Sequence, residues 1–203
     1  GSDSDCYDLC SESVCALSPA LAADVTAVLS FKAGGDDNND LSTWAAGGDP
    51  CGAGWDDDSG WLGVMCCASY GTYSEANGSG GACSGGNTRR VTRVGLYNRD
   101  GLRGDVAELA ALDALKYLYL NNCDNVHGDI GVLATIGGTL ESLNLARTGV
   151  SGSVEPLAAL TGLTYLWLAD TDVHGNATLI RSAVPGLSDW GGGSSDFTAC
   201  DTV

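Results

Sequence analysis

Aliphatic residues recur at a fixed spacing through the second half of the chain. Each copy has an aliphatic residue, a second three positions later and a third five positions later, and a glycine twelve or thirteen positions after the first. The copies begin at Val91, Leu115, Leu140 and Leu163, with a degenerate fifth expected at Leu187, in steps of 24, 25, 23 and 24 residues. One residue separates the last two aliphatic positions, so the pattern predicts a short strand with one buried face in each copy. The glycines then suit a tight bend: Gly104, Gly128, Gly152 and Gly175.

A repeat of this length with an LxxLxL core predicts an α/β solenoid, a short leucine-rich repeat arc of about four repeats. One copy cannot bury its own apolar face, but stacked copies form a continuous core, and the ends then need caps. An ordinary α/β domain with leucine-rich helices is the alternative, and the in-register copies disfavour it. We therefore expect a cysteine-rich extension (1–17), an N-terminal cap with a Gly/Ser-rich disulfide loop (18–90), the repeats (91–186) and a C-terminal cap or tail (187–203).

The segment SPALAADVTAVLSFKAGG predicts a helix in the N-terminal cap. Ser18 is a favourable N-cap and Pro19 suits the first helical position. Gly34 and Gly35 end the pattern. Apolar residues follow helical spacing at Leu21, Val25, Val28 and Leu29.

Charge narrows the partners that we expect. The net charge of −17 and the pI of about 4.1 argue against nucleic acid, which needs a basic surface, and against an anionic membrane surface. No apolar run approaches the roughly 18 residues that a membrane span needs, so we expect no span in this chain.

Nine cysteines indicate disulfides and an oxidising compartment. We expect Cys123, which follows a strand, to be a buried free thiol. The disulfide partner of Cys200 stays open. Cys200 would pair with a cysteine of this chain across the surface, with a segment outside this sequence, or with another molecule in a homo- or hetero-assembly. Sequons at Asn77 and Asn176 fit a secreted glycoprotein. The remaining candidates for disulfides are Cys6, Cys10, Cys15, Cys51, Cys66, Cys67 and Cys83.

The cap and the first repeat also resemble a known family. The run LSFKAG, LSTW, DPC and GWLGVMC resembles the N-terminal cap of plant-type extracellular leucine-rich repeat proteins, a group that includes receptor-kinase ectodomains and polygalacturonase-inhibitor-like proteins. RRVTRVGLYNRDGLRG resembles the family's first repeat, and GDV, GDI and GSV resemble its second short strand. The resemblance covers residues 18–187 and implies a Cys51–Cys66 disulfide. It also implies a secreted, extracellular or cell-surface location and a protein, peptide or cell-wall glycan partner.

The chain departs from that family at the turn after each strand. The family's asparagine is replaced by Arg99 or Asp100, then by Cys123, Thr148 and Thr171. We expect the threonine hydroxyls to bond the turn backbone from inside. A Gly/Ser-rich insertion, CASYGTYSEANGSGGACSGGN, separates the cap from the first repeat, and a Cys67–Cys83 disulfide would close it as a loop.

Aromatic residues gather on the predicted concave face of the sheet. By alternation, this face carries the residues that flank the inward leucines. Exposed aromatic patches are typical of interaction sites, although the rings would also stabilise a sheet by packing across strands. We therefore predict a recognition module that binds through this face. The candidate binding residues are Arg93, Tyr97, Tyr117, Tyr119, Asn144, Tyr165 and Trp167.

The sequence contains only weak indications of metal-binding or catalytic residues. The acidic stretches GGDDNNDL and WDDDSGW lack EF-hand spacing, so solvated loops are favoured over calcium sites. His127 and His174 have no evident third ligand, and we expect exposed loop positions. No catalytic motif is present, so we predict no enzyme, no catalytic residue, no metal and no cofactor.

Two other functions remain as alternatives. One is a structural component of an extracellular matrix, wall or surface filament, assembled partly by disulfides. The other is ice binding, which needs a flat face of aligned threonines. Only Thr148 and Thr171 align, and we expect both to point inward.

Overall fold

The computed structural model describes residues 17–51, 61–67 and 89–191, together with the backbone of two short strands near the N-terminus. These strands, Cys10–Ser11 (β1) and Val14–Cys15 (β2), pair antiparallel with Cys10 opposite Cys15. The predictions for Cys6, Asn77, Cys83 and Cys200, for the side chains of Cys10 and Cys15, and for residues 55–60 of the acidic stretch WDDDSGW lie outside the described residues.

The cap helix forms as its sequence predicts. Helix α1 spans Pro19–Ala33, and the Ser18 hydroxyl oxygen accepts the Leu21 N–H at 3.2 Å. Its inner side is fully buried at Leu21, Val28 and Phe31. The helix ends at Gly34. None of the described helices is long and apolar enough to cross a bilayer.

Two sheets follow, built from ten strands of the described residues. In chain order the strands are Val64–Cys66 (β3), Val91–Gly95 (β4), Gly104–Asp105 (β5), Tyr117–Tyr119 (β6), Cys123–Asp129 (β7), Ser142–Asn144 (β8), Thr148–Ser153 (β9), Tyr165–Trp167 (β10), Asp172–His174 (β11) and Asp189–Gly191 (β12). The first sheet has six strands in the order β12-β10-β8-β6-β4-β3, all parallel except β3, which pairs antiparallel with β4 at one edge. The second has four parallel strands in the order β11-β9-β7-β5.

The core lies between these sheets and a layer of short helices. The helices are Val106–Leu109 (α2), Ala177–Ala183 (α3) and the 3-10 segments Ile130–Thr139 and Glu155–Ala159. The aliphatic pattern predicted this core, because its residues from Val91 to Leu168 are buried. The second strands also lie where GDV, GDI and GSV predict them, in β5, β7 and β9.

The cap is joined to the first repeat by one buried ion pair. Asp24 of α1 is 1% exposed and accepts two hydrogen bonds from Arg90, at 2.9 and 2.8 Å. It also accepts the Val91 N–H at 2.9 Å. Because these hydrogen bonds favour the charged form, they hold the pKa of Arg90 above its usual value. Arg90 pairs with Asp113 as well.

Cysteines close the cap as expected. The Cys51–Cys66 disulfide, which the family resemblance implies, is confirmed. Cys67 is also disulfide-bonded. Cys123 is confirmed as a buried free thiol, and burial raises its pKa.

The turn residues bond inward. Thr148 and Thr171 donate their hydroxyls to the carbonyl oxygen three residues earlier, at 2.6 and 2.7 Å, which confirms that prediction. Cys123 lies at the equivalent position and donates to the Leu96 carbonyl at 2.9 Å. The residue before each of these positions, and before Arg99, is left-handed. These residues are Asn98, Asn122, Arg147 and Asp170, with φ between 55° and 59°.

Two local predictions need correction. The stretch GGDDNNDL is not simply a solvated loop, because Asp40 pairs with Arg99 at 3.0 Å and Asp37 pairs with Arg103. The arginines of the first repeat therefore anchor the acidic loop of the cap. His127 and His174 are exposed as predicted, but they lie on β7 and β11 rather than in loops.

Candidate functional site

The outward residues of the first sheet form two rows that cross its parallel strands. Six of the predicted binding residues lie in these rows; Tyr97 lies just after β4 and is 52% exposed. We call the ten residues of both rows the sheet face. The first row is Arg93, Tyr117, Ser142, Tyr165 and Asp189, and the second is Gly95, Tyr119, Asn144, Trp167 and Gly191.

Aromatic pairs flank the middle strand of this face. On β6, the rings of Tyr117 and Tyr119 have centroids 6.5 Å apart and are tilted by 31°. On β10, the rings of Tyr165 and Trp167 are 5.9 Å apart and nearly parallel, at 13°. These contacts run along the strands, so they leave β8 between two aromatic walls. All four aromatic residues are half-buried.

Polar groups converge between the walls. The Tyr119 hydroxyl donates to Ser142 Oγ at 2.9 Å, and Asn144 Nδ2 donates to the Tyr165 hydroxyl oxygen at 3.5 Å. Two tyrosines therefore reach over β8 from opposite sides. We call Tyr119, Ser142, Asn144 and Tyr165 the hydroxyl centre.

Burial raises the pKa of the Tyr165 phenol, with smaller contributions in the same direction from Asp189 and Tyr119. A charged phenolate is disfavoured there, so Tyr165 stays a neutral hydrogen-bond donor near pH 7.

Two carboxylates accept hydrogen bonds from aromatic side chains of the walls. Glu141 accepts the Tyr117 hydroxyl at 3.0 Å and pairs with Lys116 at 3.1 Å. Asp189 accepts the indole N–H of Trp167 at 3.2 Å. Each bond ties an aromatic side chain to the neighbouring repeat, which reduces its rotational freedom before any partner binds.

Glycines end the second row, and sequence reasoning missed their role. A Cβ at Gly191 would lie 2.2 Å from the Trp167 ring, so the indole lies directly over this glycine. At the other end, a Cβ at Gly95 would lie 3.3 Å from Arg93 Nε, and the Arg93 guanidinium lies 5.2 Å from the centroid of Tyr119. The sequence did contain an indication of this role, because a glycine at an outward position of a strand often marks the close approach of another group.

Other candidate positions lie apart from this face. Asn176 of the second sequon is exposed and caps α3 by accepting the Leu179 N–H at 3.2 Å. A shallow hollow near the turns is lined by Asp124, Arg147, Thr148, Gly149 and Asp170. Within the described ranges, no group of three or more His, Cys, Asp or Glu side chains could hold a metal ion.

Solved structures share this architecture. They include the BIR3–SERK2 complex from Arabidopsis thaliana, with 20% identity, coverage of 83% of this chain and 81% of that chain, and a TM-score of 0.57. The LRR ectodomain of the receptor kinase SOBIR1 from Arabidopsis thaliana has 19% identity, coverage of 86% and 92%, and a TM-score of 0.50. A plant ice-binding protein has 22% identity, coverage of 84% of this chain but 48% of that protein, and a TM-score of 0.59.

No protein-family model matches the chain, and no curated protein sequence does. Identities near 20% establish a common fold and leave ligand and partner open. Together with the in-register leucines, they show that this chain has the leucine-rich repeat fold, and its own N-terminal cap is closed by the Cys51–Cys66 bond.

Proposed function

We propose that this chain is the recognition module of a secreted or cell-surface protein and that it binds its partner through the sheet face. The supporting observation is the ordered aromatic surface around the hydroxyl centre. Its four aromatic side chains are half-buried, and each is hydrogen-bonded to a residue of a neighbouring repeat. Rigid tyrosine and tryptophan side chains give large contact areas at low entropic cost, which is typical of binding hot spots.

The extracellular location is supported by the cap. The Cys51–Cys66 bond and the bonded state of Cys67 suit an oxidising compartment. Among the similar structures, BIR3 and SERK2 form a complex with each other and SOBIR1 is a receptor kinase. By analogy, we expect a protein, peptide or glycan partner for this chain.

We propose binding rather than catalysis, because the groups that converge on the face are phenols, a hydroxyl and an amide that serve hydrogen bonding. Ice binding is less favoured, although one similar structure is an ice-binding protein. The hydroxyls of Thr148 and Thr171 are bonded inward, so they do not form an outward threonine array. A thermal-hysteresis assay tests this. The structural alternative predicts disulfide-linked oligomers on a non-reducing gel.

The test is retention of labelled protein on cell walls, surface extracts and secreted proteins of the source organism. A Tyr119→Asp/Trp167→Asp double variant removes one ring from each aromatic wall. Leu179→Asp is the matched control, because Leu179 is an exposed apolar residue on α3, away from the face. Both variants must keep the melting temperature of the parent. We expect retention to be lost only in the double variant; equal retention, or none by the parent protein, would contradict the proposal.

A further inference from the structure

We propose that the ligand of the sheet face is an uncharged glycan, a ligand rich in hydroxyl groups and without net charge. This inference rests on the proposed function, since it assigns a ligand class to the same face. It is carried by three features of the described residues: the hydrogen-bonding groups left at the hydroxyl centre, the aromatic walls beside them and the balance of charge around them.

The hydroxyl centre keeps donors for a ligand. Asn144 Oδ1 accepts the Ala146 N–H at 3.2 Å, and one Nδ2 hydrogen goes to Tyr165. This leaves the second Nδ2 hydrogen of Asn144. Because Tyr165 accepts from Asn144, its own hydroxyl hydrogen also remains, whereas Ser142 is only 6% exposed and serves as the acceptor for Tyr119. Closely spaced donors suit a ligand that presents several hydroxyl oxygens at once.

The walls supply the apolar half of the contact. A sugar ring alternates hydroxyl edges with C–H faces, so its binding site needs aromatic surface directly beside hydrogen-bonding groups. Tyr119 and Tyr165 lean over β8 from both sides, so apolar ring surface borders the hydroxyl centre directly, and a sugar ring would lie over the rings rather than between them. Trp167 lies over Gly191 and is fixed by Asp189, which presents its ring in one orientation.

The charged side chains around the sheet face favour an uncharged ligand over a charged one. Among the described residues, two cations, Arg93 and Lys116, and two anions, Glu141 and Asp189, lie on or beside the face. Their charges cancel, whereas the whole chain carries −17. The surrounding field disfavours a polyanionic ligand.

A basic peptide is also disfavoured, because the carboxylates of the face already have partners. Glu141 forms an ion pair with Lys116 and accepts a hydrogen bond from Tyr117, and Asp189 accepts a hydrogen bond from Trp167.

The test titrates the purified chain with hexasaccharides of β-1,4-glucan, β-1,3-glucan and β-1,4-mannan, with hexagalacturonate, and with hexalysine. Binding is followed by calorimetry and tryptophan fluorescence at 0.15 M salt. We expect saturable binding of at least one uncharged hexasaccharide and none of hexagalacturonate or hexalysine. Tyr165→Phe keeps the ring but removes the donor and leaves Asn144 without its acceptor, so we expect affinity to fall about tenfold.

Glycine substitutions provide a matched pair. In Gly191→Ala the new methyl group displaces the Trp167 ring, so we expect weaker glycan binding and a shifted fluorescence spectrum. In Gly186→Ala the nearest atoms are 3.6 and 3.9 Å from the new Cβ, an ordinary contact, so binding is expected to stay unchanged.

Outcomes separate this inference from the proposed function. Face-dependent retention that disappears after the extract is treated with protease, with no uncharged saccharide bound, overturns the glycan ligand and leaves a protein partner. Binding of hexagalacturonate or hexalysine at comparable affinity also overturns it, as does glycan binding that Tyr165→Phe and Gly191→Ala leave unchanged. Retention that does not depend on the face, together with no glycan binding, overturns both proposals.

Discussion

Removing the Asp24 carboxylate should destabilise the whole domain, because Asp24 joins the cap helix to the first repeat. The carboxylate is 1% exposed and accepts hydrogen bonds from Arg90 and from the backbone of Val91. Asp24→Ala leaves a guanidinium without its main partner and a buried N–H without an acceptor. Asp24→Asn keeps one acceptor oxygen for Val91 and Arg90 Nε, but it removes the charge and replaces the oxygen that accepts from Arg90 Nη2 with an NH2 donor.

The expected magnitudes follow from these contacts. Breaking a buried ion pair by removing one partner costs about 3–5 kcal/mol, and an unpaired buried N–H costs about 1–3 kcal/mol. The Arg90 side chain is 20% exposed and keeps Asp113, so water and that carboxylate recover part of the loss. We therefore expect losses of about 4 kcal/mol for Asp24→Ala and about 2 kcal/mol for Asp24→Asn. For a domain of this size, these losses lower the melting temperature by about 12 and 6 °C.

Urea denaturation followed by circular dichroism measures the free energy of unfolding, and calorimetry gives the melting temperature. The control is Asp37→Asn, because Asp37 pairs with Arg103 at the surface, where the two side chains are 54% and 50% exposed. Such a pair contributes less than about 1 kcal/mol. If Asp24→Ala and Asp37→Asn destabilise equally, the reasoning from burial is wrong.

Three further predictions concern cysteines and a turn. Replacing Cys51 and Cys66 by serine opens a loop of 15 residues and should cost about 3 kcal/mol, measured by urea denaturation beside the parent protein. Thr148→Val removes the buried hydroxyl bond to the Leu145 carbonyl and should cost about 1–2 kcal/mol in the same assay; no loss would contradict the inward bond. Cys123 should resist iodoacetamide in the native state, since it is buried and its pKa is raised, and should react after unfolding, as read by mass spectrometry of its peptide.

Regular spacing made most of the fold predictable. The leucines at three and five positions from each start fix the buried side of the strands, whatever the residues between them. Ser18 and Pro19 begin α1 as their local chemistry requires. Thr148 bonds the turn backbone as a small hydroxyl in that position should. These features depend on neighbours within a few residues, which a single sequence displays directly.

Long-range partners were not predictable in the same way. Asp24 lies on the apolar side of α1, three residues after Leu21 and four before Val28. A single charged residue needs a partner when it is buried at such a position, but it does not identify the residue that pairs with it. Arg90 follows 66 residues later, across the insertion. The left-handed backbone positions were harder to predict from the sequence. Asparagine is common at positive φ, which fits Asn98 and Asn122, but an arginine such as Arg147 gives no indication of it.

The sheet face shows why the spacing could identify its residues but not their arrangement. Alternation determines that Tyr165 and Trp167 point outward, and it does not determine which neighbouring strand each side chain leans over. Tyr165 leans over β8, where Asn144 donates to its hydroxyl, whereas Trp167 leans over β12, where Gly191 leaves room for the indole. A residue in a neighbouring repeat, the preceding one for Tyr165 and the following one for Trp167, therefore sets the orientation of each ring. It follows that Gly191, which has no side chain of its own, determines the shape of the sheet face as much as the side chains that form it.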